Sequence, residues 1–142
     1  MNISNKWLRL FFAYTFSSLI GIITREKSFK TAFSPEPVCD NFAVKGGGDF
    51  ALSSKSFIKT SEDLIFAMSS APSVVGREKE LKLPIGVLFG EDDEILDAKL
   101  HGEKFSELTG AELMILPNKG HMLPLTEPDI CAEFIHQMTQ KT

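Results

Sequence analysis

Two short apolar runs, residues 85–89 (IGVLF) and 111–116 (AELMIL), stand a helix's length apart and constrain the fold of this chain more than any other feature. Continuous runs of that length are typical of strands buried on both faces, which occur in parallel sheets. Gly90 ends the first run, and Pro117 and Gly120 follow the second. Between them Ala98, His101, Phe105 and Leu108 recur at three- and four-residue intervals, so an amphipathic helix is expected over residues 97–109, stopped by Gly110. After the second run Thr126 stands as an N-cap with Asp129 three positions on, and Cys131, Ile135 and Met138 fall on one face of a last helix. Strand, helix, strand, helix is the order of a right-handed parallel βαβ unit, and residues 83–142 are assigned to it.

The first 82 residues are built differently. Nine of the 12 phenylalanines fall before residue 67, and residues 1–60 carry eight basic and four acidic side chains against seven and fifteen in the remainder. Residues 6–24 are expected to form one or two helices with Gly21 as a weak point. Residues 28–57 contain Pro35, Pro37 and the run Gly46, Gly47, Gly48, so a looping segment is expected there. Neither a Lys-Ser nor a Lys-Thr pair directly follows those glycines, which argues against a phosphate loop. Thr60 with Glu62 and Asp63 has the form of a helix start, and Leu64, Ile65 and Met68 continue at helical spacing until Pro72, which points to a short helix over residues 61–70. Residues 77–82 form a charged connector.

A net charge of −4 argues against a general nucleic-acid binder. Cys39 and Cys131 share no spacing with each other or with histidine that would make a disulfide framework or a zinc site, so a reducing, cytoplasmic setting is expected, with no metal and no cofactor. Residues 7–23 (WLRLFFAYTFSSLIGII) are strongly apolar. They are short for a membrane span, contain Arg9 and lead to no clean cleavage site, so the main expectation is a buried helix with two apolar faces; membrane contact is the lesser alternative.

In a parallel sheet, functional groups gather beyond the carboxyl ends of the strands. Asp93 follows the first run closely and His121 the second, so both are expected on one rim. A carboxylate that accepts from one imidazole nitrogen fixes the tautomer and frees the other to take a proton from a nucleophile. Asp92 is the nearest substitute for Asp93, and the acidic turn of Asp92, Asp93 and Glu94 has two plainer readings: a solvated loop, or a seat for a hard cation such as Mg²⁺. His101 lies on the apolar stripe and is expected to be packed, His136 to be at the surface. Ser53, Ser54 and Ser56 lack the strained strand-to-helix turn that presents a nucleophilic hydroxyl.

GEDDEI after a strand, followed about thirty residues later by LPNKGHMLPLTEP and a closing helix, resembles the C-terminal part of the α/β-hydrolase fold. The resemblance implies that Asp93 is the acid of a catalytic triad and His121 its base. It also implies that FSPEPVCDNFAVKGGGDF and the helices around it form a lid, making residues 1–82 a lid segment before the last two parallel strands of an incomplete α/β-hydrolase core. Trp7, Phe11, Phe12, Tyr14 and Phe16 would then be lid core, some of them facing a hydrophobic substrate pocket. A single tyrosine argues against an epoxide hydrolase with paired lid tyrosines. The family's nucleophile stands in G-x-S-x-G, a pattern that occurs nowhere in these 142 residues.

The expectation is therefore a hydrolase of an ester or similar small apolar substrate that is inactive until an N-terminal half, or self-association, completes it. A methionine followed at once by lid-like sequence is what a truncated reading frame would give. The rival expectation is a non-catalytic, binding or membrane-associated protein that keeps the lid helix and the βαβ unit as a surface.

Overall fold

The structure is a computed structural model that describes residues 5–141. It is a mixed α/β protein, mostly helical, with one sheet of two parallel strands. Two compact units are present: residues up to Phe29 with Asp40–Val75, and Lys30–Cys39 with the residues from Gly76 onward. The ten-residue stretch Lys30–Cys39 thus belongs with the strands, not with the helices on either side of it in sequence.

In the second unit, strand β1 (Gly86–Gly90) pairs in parallel with β2 (Glu112–Leu116), Gly86 opposite Glu112 and Gly90 opposite Leu116. Two further backbone bonds extend the ladder, Glu112 N–H to Ile85 O at 2.8 Å and Glu91 N–H to Leu116 O at 2.9 Å. The crossover between the strands begins at Asp97, whose carboxylate accepts from Leu100 N–H at 2.7 Å. Its first stretch, Ala98–Glu103, is wound as a π-helix, and only Lys104–Thr109 is α-helical. Gly110 closes it at φ 74°, a left-handed conformation that suits glycine.

The π turn corrects the expected stripe. One extra residue in the turn advances the helix phase, so Gly102, not His101, faces the sheet. Ala98 and Gly102 are buried and His101 is exposed. A Cβ on Gly102 would lie 2.9 Å from the Phe89 ring, so the helix packs against β1 at closer range than any larger residue allows.

A similar correction applies to the last helix. The chain forms a short turn of helix, Leu123–Thr126, and then a helix over Pro128–Thr139 with Glu127 as its N-cap. Thr126 is not the cap: its hydroxyl turns back to the Met122 carbonyl at 3.4 Å. The packed face carries Phe134, which is 6% exposed, while the expected Ile135 is 62% exposed. Phe134 and Met138 lie where a Cβ on Gly86 would fall, within 2.9 Å, so the glycine at the start of β1 makes room for this helix.

The first unit opens with helix Lys6–Phe12, a π turn over Ala13–Ser17 and a longer helix, Ser18–Phe33, whose last turn enters the second unit. Gly21 does not break it. Gly21 is buried, and a Cβ there would meet the Leu52 carbonyl at 2.9 Å. The expected loop over residues 28–57 is partly helical: after a turn through residues 34–47 come a short helix, Gly48–Ala51, and a long one, Ser54–Val74. The long helix replaces the expected short one. Ser53 is its cap, accepting from Ser56 N–H at 3.2 Å, and Ser61, expected in the first turn, lies in its interior with its hydroxyl on the Phe57 carbonyl at 2.7 Å. Pro72 falls in its last turn and does not close it.

The aromatic residues expected in the core are mostly at the surface: Trp7 is 77% and Tyr14 73% exposed, and Phe11 and Phe16 are exposed too. Ala13, in the same stretch, is fully buried. Among the described residues, no helix is long and apolar enough to cross a membrane.

Candidate functional site

The turn after β1 is held by main chain before any functional side chain is involved. Asp92 donates its N–H to the Lys119 carbonyl at 2.9 Å, which joins this turn to the loop after β2. Asp93 follows and caps the next turn through one oxygen, Oδ1, which accepts from Ile95 N–H at 2.7 Å and Leu96 N–H at 2.9 Å. Its other oxygen, Oδ2, lies 2.8 Å from His121 Nδ1.

The carboxylate is thus aimed from both ends. The Asp93 side chain is 4% exposed and that of His121 34%. Burial on its own pushes the Asp93 carboxyl up, but the hydrogen bonds from Leu96 N–H, His121 and Ile95 N–H outweigh it and hold the group below its ordinary value. An ionised carboxylate can only accept, so His121 Nδ1 carries the proton of this bond. In the neutral ring Nε2 is then the basic nitrogen.

The loop that carries His121 is fixed on two sides. A Cβ on Gly90 would lie 2.3 Å from the carbonyl oxygens of Lys119 and Gly120, so the end of β1 touches this loop backbone to backbone. On the other side a Cβ on Gly120 would lie 2.0 Å from the Ser34 carbonyl oxygen, and Gly120 donates its N–H to Glu36 Oε2 at 2.8 Å. Lys119 pairs with Glu127 and lies 3.6 Å from Glu36 Oε1. The Glu127 hydrogen bond raises the Lys119 amine above its ordinary value, with burial opposing and the charge of Glu36 assisting. The Ser34 hydroxyl donates to Glu94 Oε1 at 2.7 Å, so residues 34–36 hold both the acid's turn and the histidine's loop.

Of the residues singled out from the sequence, Asp93 and His121 are brought together and the others are not. The Asp92 side chain is exposed, and the three acids of the turn have separate surroundings, with Asp93 on His121 and Glu94 on Ser34. No group of three or more His, Cys, Asp or Glu that could hold a metal occurs among the described residues. His101 and His136 are both exposed. Ser53 and Ser56 cap and brace a helix that follows another helix, and among the described residues no strand precedes them. In the glycine run, Gly48 is buried where a Cβ would meet the Phe29 ring at 2.6 Å, a packing role. Cys39 and Cys131 are free thiols, and burial, with Glu127 nearby, pushes the Cys131 thiol up.

Ser34, Glu36 and Lys119 were not legible as parts of this site. Glu36 and Gly120 are 84 positions apart, and no periodicity or spacing links them. In the first unit, an apolar cavity of 420 Å³ is lined by Phe12, Ile20, Gly21, Thr24, Leu52 and Phe57, among others. No family model, curated protein or solved structure matches this chain.

Proposed function

We propose that this chain supplies the acid and base of a hydrolytic triad of the α/β-hydrolase type, acting on an ester or similar small apolar substrate once a nucleophile is brought to it. The observation that carries this reading is the Asp93 Oδ2 to His121 Nδ1 contact of 2.8 Å, beyond the carboxyl ends of two parallel strands. Asp93 orients the ring and stabilises the imidazolium, and His121 Nε2 takes the nucleophile's proton and later returns it to the leaving group. The nucleophile comes from another polypeptide or segment, because the chain has no G-x-S-x-G and Ser53, Ser54 and Ser56 sit at a helix start.

The test is reconstitution with the nucleophile-bearing half of a related hydrolase, read with a chromogenic short-chain ester. Activity should appear and should vanish with Asp93→Asn or His121→Ala. Activity indifferent to both substitutions removes the triad assignment.

One observation favours a second reading. Trp7, Tyr14, Ile22 and Ile23 are each more than 70% exposed on the first helices, an apolar surface of the kind that marks an interaction site. A non-catalytic protein that binds a partner or a membrane surface through these residues would show that association unchanged in His121→Ala, with no esterase activity on reconstitution.

A further inference from the structure

Glu36 is 13% exposed at its side chain, and both of its oxygens face the loop that carries His121. Oε2 accepts from the N–H of Gly120, the residue immediately before His121, and Oε1 is buried without a hydrogen bond, 3.6 Å from Lys119 Nζ. A buried carboxylate is costly unless its charge is compensated, and here the histidine loop compensates it with one N–H and one ammonium from adjacent residues. That ammonium is held by Glu127 in turn, at the N-cap of the last helix. Ser34, two residues before Glu36, adds a bond to Glu94 beside Asp93 and places its carbonyl against Gly120.

From this geometry we infer that Glu36 is a positioning residue for the Asp93–His121 pair: its carboxylate sets the height of the His121 backbone against the Asp93 turn. The inference deepens the triad reading and rests on it for its catalytic meaning, but the effect on the pair is independent of any reaction. Without the Glu36 acceptor, the Gly120 N–H loses its buried partner and the loop is free to lift. His121 Nδ1 then leaves Asp93 Oδ2. A neutral amide at position 36 still accepts from Gly120, so Glu36→Gln should retain the pair where Glu36→Ala loses it.

The experiment uses the full chain and two NMR readouts. One is the far-downfield Nδ1–H proton of His121, assigned by its loss in His121→Gln. The other is hydrogen exchange of the Gly120 amide, referred to Val87 and Met114, whose N–H groups lie in the strand ladder. In Glu36→Ala, with the strand amides still protected, the Nδ1–H signal should disappear and Gly120 should exchange about tenfold faster or more, as the loss of one hydrogen bond to a charged acceptor implies. Glu36→Gln should restore both. An Ala variant that keeps signal and protection overturns the inference, as does a Gln variant that restores neither while the strands stay protected. If the Ala variant does not fold, the wild-type Gly120 amide decides: exchange as fast as the exposed loop amides overturns the role, and protection with a restored Gln variant supports it. Failure of esterase reconstitution with the Nδ1–H signal intact would instead count against the hydrolase reading and leave the role of Glu36 standing.

Discussion

Asp92 donates its N–H to the Lys119 carbonyl at 2.9 Å, so the turn that carries Asp93 and the loop that carries His121 are joined by main chain. The bond does not depend on the side chain at position 92. Asp92→Ala should therefore leave reconstituted esterase activity within a few-fold of the unmodified chain. Asp93→Asn presents an amide where His121 needs a carboxylate, and activity should fall on the order of 10⁴-fold. Equal losses from the two substitutions would place the orienting acid elsewhere.

The pH dependence of stability follows from the sign of the Asp93 shift. Its carboxyl is held below its ordinary value in the folded chain, so between the folded and unfolded values the unfolded chain binds more protons. The contribution is present above the unfolded value, about 4, and is lost as pH falls through the folded one. In urea unfolding from pH 7 to pH 2, the stability gap between the unmodified chain and Asp93→Asn should hold steady above about pH 5 and narrow below it. A gap that widens on acidification would mean that the carboxyl is not ionised in the folded chain.

The strands and the Asp93–His121 contact were legible because each rests on local signals: a short apolar run, a glycine close after it, and a polar group just past it. Residues 85–89 and 111–116 are displaced from the observed strands by one residue or less at each end. What was not legible depends on tertiary context or on turn geometry without a residue code. The π turns at Ala13–Ser17 and Ala98–Glu103 have no sequence signature, and each shifts the phase of every helical position after it. Thr60 and Ser61 have the form of a helix start because a hydroxyl before acids is one, but Ser53 had already begun the helix and the buried Ser61 bonds back to Phe57. Glu36 could not be found at all, since its partners are more than 80 positions away.

The phase shift at Ala98–Glu103 separates two neighbouring residues. His101 is exposed, so His101→Ala should change stability by no more than about 0.5 kcal/mol. Gly102 has the Phe89 ring 2.9 Å and Leu113 Cδ1 3.3 Å from where a Cβ would stand, so Gly102→Val should cost about 1–3 kcal/mol by overpacking. Thermal or urea unfolding of the two variants decides it. A regular α-helix from Asp97 would keep Gly102 on the face of Ala98 and bring His101 onto it as well, so both substitutions would then be costly.

The last helix poses the same kind of choice one residue apart. Phe134 is 6% exposed and its ring lies 2.9 Å from where a Cβ on Gly86 would stand, whereas Ile135 is 62% exposed. Truncating a buried phenylalanine removes its transfer free energy and leaves a cavity under β1, so Phe134→Ala should cost about 3–5 kcal/mol. Ile135→Ala removes a side chain already largely in water and should cost well under about 1 kcal/mol. Because β1 carries the turn with Asp93, Phe134→Ala should also weaken the His121 Nδ1–H signal under conditions where the chain is still mostly folded, and Ile135→Ala should not. Comparable costs at the two positions would mean that the helix is rotated about its axis and that Ile135, as well as Phe134, packs beside Met138.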